Sequence, residues 1–198
     1  MRKSLAAVLM LLACGLPAAQ AVMINFEWYP GPDGILGTGD DIPITAPTLF
    51  SAQTEQLTKQ FQTVGILFTP DPPINDKNEI LDAATFTTPP QHTRPNILAS
   101  SGTLTIEGRF TIPIFEIGAL IGISGGADRL DIYDASNNLL GSIVGDDQEV
   151  VLQTVVPIDR FVISPVASTT PAIDNLYFIP EPASLALLGL GSLVLRRR

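Results

Sequence analysis

The chain is nearly without cysteine and histidine: Cys14 and His92 are the only ones in 198 residues. A single thiol rules out a disulfide framework, and with it the stapled small-domain folds of secreted proteins. Basic residues are also scarce, with eleven Lys and Arg against twenty Asp and Glu. Five of those eleven (Arg2, Lys3, Arg196, Arg197, Arg198) sit at the two ends with only one acid, Glu181, so the interior carries nineteen acids against six bases, or about −13. Such a surface repels nucleic acid and anionic head groups, which argues against DNA or RNA as a partner. Helical periodicity is the third absence. No stretch between Val22 and Ile179 keeps it for three turns, which excludes helical bundles and doubly wound α/β folds.

What is present begins at the ends. Arg2-Lys3, the apolar run Leu5 to Leu12 and the small-x-small triplet Ala19-Gln20-Ala21 predict a helical secretory signal peptide over residues 1–21, cleaved after Ala21. Gly15 and Pro17 stop the apolar run short of the ~20 residues a membrane span needs. Cleavage there removes Cys14 and leaves a chain with no thiol chemistry at all. Leu11-Leu12-Ala13-Cys14 also resembles the lipobox of bacterial lipoproteins, which implies the alternative of cleavage after Ala13 and lipidation of Cys14.

At the other end Pro180-Glu181-Pro182 precedes the uncharged run Ala183 to Leu195 and the triplet Arg196-Arg197-Arg198. Two prolines hold an extended backbone, the apolar run suits lipid, and the arginines stay cytoplasmic by the positive-inside rule. Leu185, Leu187, Leu188, Leu190, Leu193, Val194 and Leu195 are the anchoring side chains. At ~1.5 Å per residue an apolar helix of this length covers only ~20 Å of a ~30 Å hydrocarbon core. The segment 180–198 resembles the PEP-CTERM sorting domain of exported Gram-negative proteins. The resemblance implies recognition near Pro180, Glu181 and Pro182 by an exosortase, transient residence in the inner membrane, and a final place in the cell envelope or extracellular matrix of a bacterium that makes extracellular polysaccharide.

Residues 22–179 suit one domain with a real core. Val22 to Trp28 alternates as a first strand, Thr54 to Gln62 suits a short helix or turn, and Val64 to Phe68 resumes a strand. Asp71 to Pro95 reads as loop, with a short strand at Ala84 to Thr87. Beyond Gly102, apolar runs at Leu104–Ile106, Phe110–Ile112, Ile114–Ile123, Leu130–Tyr133, Leu139–Val144, Val150–Val156, Arg160–Ser164 and Ile173–Phe178 are spaced as successive antiparallel strands. The predicted fold is an all-β antiparallel sandwich of jelly-roll type, flanked by the signal helix and the C-terminal apolar helix. Gln60 to Phe68, Leu130 to Ala135 with Leu139 to Ser142, and Ala172 to Phe178 also resemble exported jelly-roll domains related to carbohydrate-binding modules. That resemblance implies the fold more than a ligand.

Gly122-Ile123-Ser124-Gly125-Gly126 matches the G-x-S-x-G string of a hydrolase nucleophile elbow, but no histidine follows Ser124 and a strand continues where a helix is needed. Asp33-Gly34-Ile35-Leu36-Gly37-Thr38-Gly39-Asp40-Asp41 offers carboxylates and glycine-freed carbonyls of the kind calcium takes, with Asp33, Asp40 and Asp41 as ligands; a solvated turn is the alternative. Asp128, Asp131, Asp174 and Asn175 are candidates for a polar site at one edge of the sandwich, or for strand ends satisfying backbone donors. Trp28 and Tyr29, beside the glycine-rich loop, are the aromatics best placed in sequence to stack on a sugar ring, though Trp28 equally suits a core. The leading expectation is a non-enzymatic matrix protein that binds polysaccharide. The alternatives are a secreted glycan hydrolase using carboxylates such as Asp128 and Asp131, and a structural surface protein without a small ligand.

Overall fold

The computed structural model describes residues 20–47, 56–68, 77–82, 96–101, 105–168 and 170–181. The signal segment with Cys14, the strand expected at Ala84 to Thr87, His92, and the tail from Pro182 through the apolar run to Arg198 lie outside the described residues. The described chain is all-β: β1 (Val22–Ile24), β2 (Trp28–Tyr29), β3 (Ile42–Pro43), β4 (Ile66–Leu67), β5 (Lys77–Asp82), β6 (Asn96–Ser101), β7 (Ile106–Ile121), β8 (Asp128–Tyr133), β9 (Leu139–Gly145), β10 (Gln148–Pro165) and β11 (Ala172–Pro180), with one 3₁₀ turn at Gln62–Val64. Among the described residues no helix is long and apolar enough to cross a membrane.

Nine strands form one antiparallel sheet in the order β5-β6-β11-β7-β10-β8-β9, with β1 joined to β11 and β4 to β7, while β2 and β3 make a separate ribbon. The long strands β7 and β10 unify it. Each was expected as two or more short strands, because Pro113 and Pro157 interrupt their apolar runs. Instead the pairing passes through both prolines by bulges. Register shifts between Gln153 and Ile158, and again between Ile158 and Arg160, leave residues unpaired on both strands and bend them.

The bend switches which side chains face inward. On β7 the buried positions run Ile106, Gly108, Phe110 and Ile114 before it; after it Ile117, Ala119 and Ile121 join the main cluster, while Gly118 and Leu120 are buried on the other face. On β10 they are Val150 before it, then Ile158, Phe161 and Ile163. The two halves of the sheet thereby enclose the main core, and a smaller cluster of Leu81, Ile97, Ala99, Leu120, Ile123 and Ala172 lies apart from it. Phe26, Phe61 and Phe68 pack edge to face, Phe68 continues to Phe161 at 6.3 Å, Phe161 to Phe110 at 5.9 Å, and Phe110 to Phe178 at 5.0 Å. Two of the strand glycines exist to admit rings from the opposite residue: a Cβ on Gly108 would lie 2.4 Å from the Phe161 ring, and one on Gly118 2.3 Å from that of Tyr177.

β5 and β6 are strands that the sequence reading placed in loop or left unassigned. Lys77-Asn78-Glu79 has no apolar alternation, yet Asn78 and Glu79 are buried. Asn78 Nδ2 donates to Phe68 O at 3.3 Å and Glu107 O at 3.4 Å, so a polar side chain occupies a core-facing place by serving carbonyls.

Candidate functional site

Trp28 of β2 and the loop that leads to β3 border a concavity. After β1 the chain turns sharply at Phe26, which has φ 59° and is wholly buried. A bulky residue in the left-handed region needs outside support, and Asn96 provides it. Its Nδ2 donates to Phe26 O and Ile44 O, each at 3.0 Å, and its backbone N–H donates to Glu27 Oε1 at 3.0 Å. Burial nevertheless raises the Glu27 carboxyl above its ordinary value, against the lowering effect of that N–H. The turn breaks the alternation expected over Val22 to Trp28. Trp28 therefore stands 45% exposed rather than in the core, while Tyr29 packs on Phe61 with ring centroids 5.6 Å apart.

The glycine-rich loop Gly31 to Asp41 is ordered by its own carboxylates. Asp33 Oδ1 accepts from Ile35 N–H at 2.8 Å, Asp40 Oδ2 from Asp33 N–H at 3.1 Å, and Asp41 Oδ2 from Gly37 N–H at 2.7 Å and Thr38 N–H at 3.2 Å. Thr38 donates its hydroxyl to Asp40 Oδ1 at 2.6 Å, and these donors, the hydroxyl first, hold the Asp40 carboxyl below its ordinary value. The three expected calcium ligands thus replace backbone partners for one another's turns. Among the described residues no group of three or more His, Cys, Asp or Glu side chains is placed to hold a metal ion. Millimolar calcium should accordingly leave the melting temperature unchanged; a rise of several degrees would restore the metal site.

The loop, β1 and the 3₁₀ turn enclose a cavity of about 960 Å³. Met23, Trp28, Ile35 and Val64 supply apolar wall, Asn25, Thr38 and Thr63 supply hydrogen-bonding groups, and Asp41 is the one ionisable residue of the lining. Gln20 and Ala21 belong to the same rim. Among the described residues Asp41 Oδ1 is shielded from solvent and has no hydrogen-bond partner. Of the cavity's contributors, sequence reasoning found Trp28 and the loop but missed Met23 and Thr63, which no motif marks.

The edge site expected from Asp128, Asp131, Asp174 and Asn175 does not assemble. Asp128 is fully buried. Its Oδ2 accepts from Gly122 N–H at 3.2 Å and Ala172 N–H at 3.4 Å, and Oδ1 accepts from the Ser168 hydroxyl; desolvation raises its carboxyl above the ordinary 3.8 despite these donors. Asp131 lies an odd number of residues away on the same strand and points to the opposite face, where the Ser142 hydroxyl and Arg129 Nε, at 3.0 Å, engage it. Asp174 is also fully buried, and Asn175 takes φ 50° at the bulge of β11. Ser124 sits in the turn between β7 and β8 and gives its hydroxyl to Thr170 O, so the elbow string makes a reverse turn rather than a nucleophile.

The sorting segment starts inside the fold. Phe178 is wholly buried, Pro180 is the last residue of β11 and pairs with Ile114, and Glu181 N–H donates to Pro113 O at 3.1 Å.

Residues 178–198 match the PEP-CTERM protein-sorting motif. The chain thus carries this motif, which implies an exported protein sorted through an exosortase. No curated protein matches the chain. Among solved structures it is similar to the K2 cleaved adhesin domain of Lys-gingipain, at 7% identity and TM-score 0.42 over 68% of this chain and 98% of that one. It is also similar to a mutant of CBM29-2, a family 29 carbohydrate-binding module, at 12% identity and TM-score 0.30 over 41% of this chain and 69% of that one. A third likeness is to the arabinose-bound α-L-arabinofuranosidase MgGH51, at 14% identity and TM-score 0.37 over 67% of this chain and 26% of that one.

Proposed function

We propose that this is an exported, non-enzymatic protein of a Gram-negative envelope or matrix, delivered by an exosortase and binding neutral polysaccharide in the cavity beside Trp28. On this reading the domain is a jelly-roll-like sandwich, residues 1–21 are removed as a signal, and the tail from Ala183 to Arg198 holds the protein at the inner membrane during sorting. Loss of Gln20 and Ala21 would then open the cavity rim and leave Val22 at its edge.

The observation that carries the ligand reading is the pairing, in one cavity, of a half-exposed indole with the polar side chains of Asn25 and Thr63. A sugar ring offers an apolar face for the first and hydroxyl groups for the second. Asp41, the cavity's single ionisable residue, is an acid, which disfavours anionic glycans. Trp28→Ala should weaken glycan binding about tenfold, since an aromatic contact is worth roughly 0.5–1.5 kcal/mol beyond its area, while the melting temperature stays put because the ring is not core. Titration calorimetry with neutral glycans found on an array measures it. Equal affinity in the variant, or an array silent to neutral glycans, would favour a structural surface protein instead.

A further inference from the structure

A second surface lies at the corner where β7 and β10 bend. The segments Phe110-Thr111-Ile112-Pro113-Ile114-Phe115 and Thr154-Val155-Val156-Pro157-Ile158 contain no charged residue. The bulge throws the apolar side chains outward: Val155 is 95% exposed, Val156 40% and Ile112 37%.

The same corner is where the chain leaves the domain. Pro180, Ile114 and Ile158 occupy one row across β11, β7 and β10. Two strand spacings of ~4.8 Å put the end of β11 within about 10 Å of the bulge. Only Pro182 separates Glu181, bonded to Pro113, from the uncharged run that begins at Ala183. One residue spans at most ~3.6 Å, whereas the polar head-group layer is roughly 5–8 Å thick on each side of the hydrocarbon. A tail seated in lipid therefore brings the corner into that layer. The apolar run is also short for the hydrocarbon it must cross, and such a mismatch draws flanking structure toward the bilayer.

We infer that the β7/β10 corner is a lipid-docking surface, with Val155, Val156 and Ile112 entering the interface of the outer face of the inner membrane beside the tail. This rests on the reading of residues 183–198 as a membrane anchor. Glu116, Asp159 and Glu181 flank the corner against Arg109, while Arg160 is paired with Glu107, so the rim is acidic on balance and suits zwitterionic rather than anionic lipid.

The test uses the mature chain from Val22 to Arg198, which has no cysteine, with a single probe site, Val155→Cys or, just past the far end of β10, Val166→Cys, which starts 56% exposed. Each is labelled with an environment-sensitive fluorophore and incorporated into phosphatidylcholine vesicles. Flotation with the vesicles reports the anchor. The expected result is a blue-shifted emission at position 155, quenched at least twofold more strongly than position 166 by nitroxide on the acyl chains. Flotation with equal, water-like signals at both sites overturns the docking surface and leaves the anchor standing. A blue shift at 155 without lipid quenching assigns the corner to a second copy of the chain and overturns it too. Failure to float removes the anchor and the docking surface together.

Discussion

A chain ending at Glu181 should fold like the full protein and appear in the medium, whereas one ending at Tyr177 should not fold. Both remove the apolar run and the arginines, and the sorting match begins at Phe178, so from the motif alone the two deletions look alike. The structure separates them. Ending at Glu181 keeps the pairing of Pro180 with Ile114 and the bond from Glu181 to Pro113. Ending at Tyr177 deletes Phe178, which is fully buried, packs 5.0 Å from Phe110, and pairs with both Ile117 and Val22. Truncating a buried Phe to Ala costs about 3–5 kcal/mol, and here Ile179 and Pro180 of the strand go with it, against a total stability of about 5–15 kcal/mol. Fractionation of the host, with thermal melts of the recovered protein, reads the outcome. Unchanged fractionation of the chain ending at Glu181 would sink the sorting assignment, and a cooperative melt for the shorter chain would sink the account of β11.

Asp128→Ala should destabilise by roughly 3–5 kcal/mol, and Asp128→Asn by about 1 kcal/mol or less at neutral pH. The alanine leaves the N–H groups of Gly122 and Ala172 without their acceptor, at roughly 1–3 kcal/mol each, and unties the turn at Ser168. The asparagine keeps one oxygen for both N–H groups and turns its amide toward the Ser168 oxygen. The pH dependence follows from the raised carboxyl. Folded Asp128 holds its proton more tightly than the unfolded chain does, so its contribution is full below the ordinary carboxylate range and declines as pH rises through the raised value. Relative to the parent, Asp128→Asn should therefore gain as pH climbs from acid to neutral. Urea melts across that range test it, and a parallel profile for the two proteins would show that burial does not set this carboxyl's affinity for protons.

Much of the fold was written in apolar alternation. Leu130, Ile132 and Phe178 all lie in strands close to where the pattern puts them. The breaks misled, because a proline at a bulge does not end a strand whose neighbours keep pairing, as Pro113 and Pro157 show. β5 escaped because Asn78 turns inward to serve carbonyls from chain segments distant in sequence. The exposed Trp28 depended on the turn at Phe26, held by Asn96 from far along the chain. The separation of Asp128 and Asp131 escaped as well, because the apolar run marks a strand only from Leu130, whereas β8 begins at Asp128 and its parity puts the two carboxylates on opposite faces.

Among the described residues β11 is the last strand, and it sits in the interior of the sheet, between β7 on one side and β6 and β1 on the other. A domain ordered this way cannot complete itself while it is being delivered. Until Ala172 to Pro180 arrives, β1 has no sheet edge to join and the β5–β6 pair has no link to β7, although β7, β10, β8 and β9 can already pair with one another. The sheet order thus acts as a timer: closure of the core coincides with arrival of the sorting segment, since one stretch of chain performs both.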